Sequence, residues 1–333
     1  MTQAPARNPS RQVIPPRAIP PRAIPQRANR RAFIVTATYY LLAAIAVRLT
    51  GTRYWGLLPD LLTRLQTRKV TNKARNFVQR MSAVLGSGVD EGALYALHRR
   101  NEAANHQRVI FVSASRRRRG WNPDMVLIGG ERIEQARSRG KGVILWADPF
   151  FHASILGKRA LAGAGYRTWQ LTSTSHGILD SPLASRLINP RMIEVERRYL
   201  AGRIVFDRHT TMKATRAMLK VLAENELISL TNNAFMGAIL ATPFGEGMVL
   251  HLAQTPLRLA ALQGVPLLPI QTIERERFMR YEVTVGPDLS LLLPPGAADP
   301  VGALAAVYAD YLLGLARADP LQFGGWLMMR PAN

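Results

Sequence analysis

A chain of 333 residues with 47% hydrophobic content can bury a sizeable core, which excludes global disorder. Its 44 lysines and arginines against 22 acids give a formal charge of +22, so its partners are expected among anions: nucleic acid, anionic lipid, phosphorylated substrates or an acidic carrier protein. The absence of cysteine excludes disulfides, thiolate catalysis and cysteine zinc sites; the six histidines show no metal-ligand spacing, and no metal is expected.

Residues 1–31 repeat an I-P-P-R-A unit and carry seven arginines with no acid. Proline at this density blocks helix and ladder formation, so a disordered or polyproline-like arm is expected, either an electrostatic tether or a plain tail. Next, Ala32–Val47 is uncharged over sixteen residues, flanked by Arg30, Arg31, Arg48 and Arg53. That is under the roughly 20 residues of a spanning helix. With Tyr39, Tyr40, Tyr54 and Trp55 as interface anchors, residues 32–55 read as a membrane-embedded or interfacial helix, with a buried core helix as the alternative. The basic arm favours the membrane, since each arginine near an anionic surface adds about 1 kcal/mol.

Residues 56–110 carry apolar positions at helical spacing, and "SASRRRRGWNPD" (113–124) reads as a loop. From residue 141 strands and helices alternate. "GVILWA" suits a fully buried strand, "HASILGKRALAGAG" a helix, and "YRTWQLT", "RIVFD" and "ELISLT" further strands around the amphipathic helix "TMKATRAMLKVLAEN". "GMVLHLAQTPLRLAALQG" reads as a helix bent at Pro256. "PLLPIQTI" and "RYEVTV" read as strands, and "VGALAAVYADYLLGLARA" as the closing helix. The pattern predicts an α/β fold, a mixed central sheet layered with helices, over 56–333.

Four strings in this order, "GKGVILWADPFFHASILGKRALAGAGY", "ATPFGEG" before "HLA", "GVPLLPIQTI" and "DPLQFGGW", make residues 125–330 resemble the lysophospholipid acyltransferase-like superfamily. The nearest resemblance is to the bacterial lipid A biosynthesis (lauroyl/myristoyl) acyltransferases. The resemblance implies a glycerolipid acyltransferase-like sheet behind a helical membrane-proximal segment. It also implies transfer of an acyl chain from an acyl carrier protein or coenzyme A thioester to a hydroxyl of a glycolipid or lysolipid. The thioester is then a co-substrate, no cofactor is needed, and the place of work is the cytoplasmic face of the bacterial inner membrane. The family's His-x4-Asp/Glu motif is broken in this chain. Counting from His152 puts Gly157 where the carboxylate belongs, and aligning on "AGAGY" puts Asp148 or Pro149 at the histidine position.

The residues themselves offer two imidazoles. Asp148-Pro149 has the form of an N-cap and N1 pair, which places His152 in the first helical turn, where the helix dipole favours a neutral base. Asp148, four residues before it, is a candidate partner; the plain alternative is a cap and a polar filler. His176 in "TSTSHGILDS" follows a strand, with Asp180 four residues on. Arg203 and Arg208 around "RIVFD" are candidate clamps for a lipid phosphate or phosphopantetheine. Phe244, Gly245 and Glu246 are candidate substrate contacts, as the resemblance places this block beside the acceptor. Two other readings stay open: a catalytically silent homologue that binds lipid or acyl carrier protein, and a basic nucleic-acid-binding protein, the less favoured because the arm has no interleaved aromatics.

Overall fold

The computed structural model describes residues 30–66, 71–86, 88–116, 120–174, 176, 182–206, 210–231 and 238–332. The Pro/Arg repeat through residue 29 lies outside the described residues. Arg30 and Arg31, expected in the arm, instead begin the first helix.

Four helices precede the sheet: α1 (Arg30–Leu49), α2 (Leu57–Gln66), α3 (Asn72–Leu85) and α4 (Glu91–Ser115). Side-chain caps start two of them, Thr71 accepting from Ala74 N at 3.2 Å and Asp90 from Ala93 N at 2.9 Å. The long α4 is the spine of this layer, with α1, α2 and α3 all packed on it. Tyr39, Tyr40, Ala43 and Val47 recur at helical spacing and are buried, and Tyr39 Oη donates to the His106 carbonyl at 3.0 Å.

The chain then passes through β1 (Asp124–Ile128), α5 (Glu131–Arg137), β2 (Val143–Ala147), α6 (Lys158–Gly163), β3 (Thr168–Ser173), α7 (Pro182–Leu187), α8 (Asn189–Arg197), β4 (Leu200–Phe206), α9 (Thr211–Ala223) and β5 (Leu227–Thr231). It continues with β6 (Ile239–Pro243), β7 (Met248–Ala253), α10 (Gln254–Gln263), β8 (Leu267–Glu276), β9 (Arg280–Val285), α11 (Pro300–Ala318) and β10 (Met329–Pro331). Seven strands form one mixed sheet in the order β1-β9-β8-β2-β5-β3-β4. β8, β2, β5, β3 and β4 run parallel; β9 is antiparallel to β8, and β1 parallels β9. The fold is therefore α/β, mostly parallel. Central β2 is buried at every residue, as a strand covered on both faces should be. A separate antiparallel sheet, β10-β7-β6, packs in the main core with α3 and α11.

Several local expectations change. Residues 248–253 are a strand paired with β6, and the helix starts only at Gln254. A six-residue apolar run is ambiguous between helix and strand, and pairing decided it. Pro256 lies in the first turn of α10, where its missing N–H costs nothing, so no bend results. The helix after β2 does not start at Asp148. Gly324 N donates to the Pro149 carbonyl at 2.7 Å, Phe151 N to Gln322 O at 3.2 Å, and Phe150 bridges Phe323. That tail contact holds 149–151 out of a helix; a π-helical turn, Ala153–Gly157, follows and leads into α6. Finally, β1 and α5 are regular structure where no element was expected, and α4 runs into the expected loop as far as Ser115.

By length and composition α11 is apolar enough to cross a membrane, yet Leu304, Ala305, Tyr308 and Leu312 are seated in the main core. A second core, between α1, α4 and the π-helical turn, is built on Trp55, Phe111, Trp121, Phe278 and Tyr281.

Candidate functional site

The carboxyl ends of the parallel strands are where ligands bind in sheets of this kind. Asp148 and His152 follow β2, His176 follows β3, and Glu274 stands on the part of β8 that runs past the end of β2.

Asp148 and His152 do not meet as partners. Asp148 turns into the main core, where Oδ1 accepts from Tyr308 Oη on α11 at 2.9 Å and Oδ2 has no hydrogen-bond partner among the described residues. Burial pushes its carboxyl up to about 8, against a smaller opposing pull from the Tyr308 hydroxyl. At such a value the protonated form predominates at pH 7, so Asp148 supplies little negative charge to orient an imidazole. His152 turns the other way, into the aromatic core, edge-on to Phe111 (5.3 Å) and Tyr281 (5.8 Å). Only 1% of the residue is exposed. Burial lowers its pKa; Glu274 opposes that and Arg277 adds to it.

The nearest carboxylate to His152 is one the local sequence does not announce. Glu274 Oε2 lies 3.8 Å from His152 Nε2, beyond hydrogen-bond distance, and both ring nitrogens of His152 are without hydrogen bonds among the described residues. Glu274 has other obligations: Oε1 accepts from Tyr281 Oη at 2.7 Å and from Phe278 N at 3.0 Å. With its amide turned to donate, Gln107 on α4 reaches both Glu274 oxygens, at 3.1 and 3.2 Å. This imidazole is neutral, walled by rings and away from solvent.

His176 is the opposite case. Its Nε2 is 2.6 Å from Glu196 Oε2, and its side chain keeps 20% exposure. Glu196, on α8, is fully buried, and its other oxygen accepts from Lys158 Nζ at 3.0 Å. Burial alone would raise the Glu196 carboxyl, but Lys158 and His176 outweigh it and hold it at about 2. Lys158, at the start of α6, is lowered by burial and raised again by Glu196. Arg203 on β4 and Arg108 on α4 also feel the Glu196 charge, so positive groups surround this carboxylate. In the neutral tautomer that donates Nε2–H to Glu196, the imidazole lone pair is on Nδ1. This is the geometry of a general base oriented by a buried carboxylate.

Asp180, the partner expected for His176, and Arg208 lie outside the described residues. Phe244, Gly245 and Glu246 form the β6–β7 turn. Phe244 is buried and stacked on Phe323, and Glu246 N donates to Ala83 O on α3 at 2.9 Å. Gly245 has φ +73°, and a Cβ there would come within 2.7 Å of that same carbonyl. The contacts of this turn anchor a hairpin on α3. An open cleft lined by Arg137, Tyr166, Arg167 and Glu226 sits at the amino ends of β3, β4 and β5, the sheet edge opposite both imidazoles.

Glu196 and Glu274 are the imidazole neighbours that sequence spacing missed, and Lys158 is the cation on the other oxygen of Glu196. Glu196 lies 20 positions from His176 and Glu274 lies 122 from His152, so no motif of fixed spacing marks them. No family model and no curated protein matches the chain.

Proposed function

We propose that this protein is an acyltransferase that acts at a membrane surface and moves a fatty acyl chain from a thioester, on acyl carrier protein or coenzyme A, to a hydroxyl of a glycolipid or lysolipid. The observation that carries the reading is the half-buried His176 held by the buried, ionised Glu196 at the carboxyl edge of a parallel sheet. In the step, His176 Nδ1 takes the proton of the acceptor hydroxyl as its oxygen attacks the thioester carbonyl. The tetrahedral intermediate collapses with cleavage of the C–S bond, and the imidazolium returns the proton to the departing thiolate. Glu196 stabilises the imidazolium between the two transfers. Arg203 contributes positive potential for a phosphate, either of the lipid or of the donor's phosphopantetheine arm. On this reading the glycerolipid acyltransferase-like fold is this sheet behind a membrane-proximal helical layer, and the protein works at the cytoplasmic face of the bacterial inner membrane.

His152 takes no part in the step because no acceptor hydroxyl reaches a ring packed between Phe111 and Tyr281. Its sealing favours a second reading, a lipid- or carrier-binding protein without turnover.

The test is transfer of radiolabelled acyl chains by the purified full-length chain, with acyl carrier protein and coenzyme A donors and lysophospholipid and glycolipid acceptors. The parent chain forms acylated lipid, and His176→Gln slows it by about 10²–10⁴-fold, the usual contribution of a general base. The melting temperature stays within a few degrees. Full activity in His176→Gln overturns the assignment. A parent chain that binds lipid but turns over neither donor overturns the enzyme and leaves the second reading.

A further inference from the structure

α1 and α2 each give one face to α4 and turn the other outward. On α2 the inner face is Leu58, Pro59, Leu62 and Thr63, and the outer face is a leucine stripe, Leu57, Leu61 and Leu65, exposed by 65%, 54% and 53%. On α1 the outer face carries Ile34, Leu41, Leu42, Ile45 and Leu49. Ten of the 21 exposed large apolar side chains among the described residues fall between Ile34 and Leu65. Scattered singly they would need no explanation; gathered on two consecutive helices they mark an interaction surface.

We infer that this surface seats the protein in one leaflet of an anionic bilayer, with α1 and α2 lying in the interface plane and neither crossing it. Charge complementarity selects lipid as the occupant. Exposed Arg48 and Arg64 edge the stripes, Arg53 lies over the ring of half-exposed Tyr54 at 4.6 Å between the helices, and α1 has no acidic residue. Five arginines of residues 1–29 precede α1 in the sequence, and Arg30 and Arg31 open it. Apolar side chains with arginines beside them and a tyrosine at the junction are the composition of interfacial helices.

Packing decides against a span. The apolar stretch Phe33–Leu49 is short of the roughly 20 residues needed. Its inner face is already buried on α4 through Tyr39, Tyr40, Ala43 and Val47. To cross the bilayer α1 would have to leave that core or draw in α4, whose Arg99 and Arg100 are exposed. The inference deepens the acyl-transfer reading by saying how the membrane is met, yet its test needs no acyl donor, so the two can fail separately.

The experiment is flotation of the full chain with vesicles of phosphatidylcholine containing about 30% phosphatidylglycerol, a lipid of single negative charge. The parent chain floats, an alkaline carbonate wash releases it, and Leu57→Glu/Leu61→Glu/Leu65→Glu weakens binding by about tenfold or more. Circular dichroism establishes that the variant is folded, and Leu219→Glu on the exposed face of α9 is the remote control, expected to float like the parent. Resistance to carbonate overturns the in-plane arrangement. Unchanged flotation of the folded triple variant overturns the surface, as does a parent chain that ignores vesicles but forms a dimer that the triple substitution dissolves.

Discussion

Asp148 and Glu196 show how one functional group, the carboxyl, is pushed in opposite directions inside one fold. Both carboxyls are buried, but among the described residues the side-chain partner of Asp148 is a tyrosine hydroxyl, whereas Glu196 has Lys158 and His176. Desolvation wins at the first and ion pairing at the second. The linkage at Asp148 has a definite sign. Its folded pKa, about 8, is above the ordinary 3.8, so the folded state holds more protons than the unfolded state between those values. The stabilisation is complete below the lower value and is lost as pH rises through the upper one. Asp148→Asn keeps an acceptor for Tyr308 and cannot ionise. Its stability relative to the parent should therefore climb with pH between about 4 and 8, by at most about 1.4 kcal/mol per unit. Urea unfolding at several pH values measures this; a flat difference would mean that Asp148 titrates normally. His152 titrates alike in both chains and cancels from the comparison. The candidacy of His152 and His176 was legible from their places after apolar strands. Their carboxylates were not, because Glu274 and Glu196 arrive on other elements.

Among elements, the β6–β7 hairpin shows most directly how a local sequence feature acquires its meaning. "PFGEG" is a turn in any reading, since glycine is needed where φ is positive. Its purpose comes from α3, whose Ala83 carbonyl accepts from Glu246 N and stands 2.7 Å from the position of a Cβ on Gly245. Gly245→Ala should then lose about 1–3 kcal/mol of stability, from left-handed strain together with the close approach. A shift in the denaturant midpoint at unchanged slope reads this, and a neutral result would show that the hairpin can lift off α3. β7 itself makes a related point. "MVLHLA" has no period that separates strand from helix, and antiparallel pairing to β6 settled it. Likewise, contacts from residues 322–324 keep 149–151 out of a helix and move the helix start beyond His152.

At the scale of the whole molecule, an exposed apolar surface is combined with a high positive charge, which suits a lipid headgroup region. The apolar stripes belong to α1 and α2, while the net charge of +22 belongs to the chain at large. Attraction of this kind is screened, with a Debye length of about 10 Å at 0.1 M salt and 3 Å at 1 M. Flotation with anionic vesicles should weaken as salt rises from about 0.05 to about 0.5 M, and flotation with neutral vesicles should change far less. Equal salt sensitivity on both would remove charge from the account. By itself the sequence determined the alternation of strands and helices, the buried run of β2, the basic character and the apolar stretch near residue 40. These follow from composition and from periods of two and 3.6 residues, which are local properties. Only the tertiary structure decided that Asp148 faces Tyr308, that His152 is sealed by rings, that Glu196 pairs with His176, and that α2, like α1, turns an apolar face outward. Each of those depends on which elements the chain brings together in space, and burial, ion pairing and solvent access are set by that company and not by neighbours in sequence.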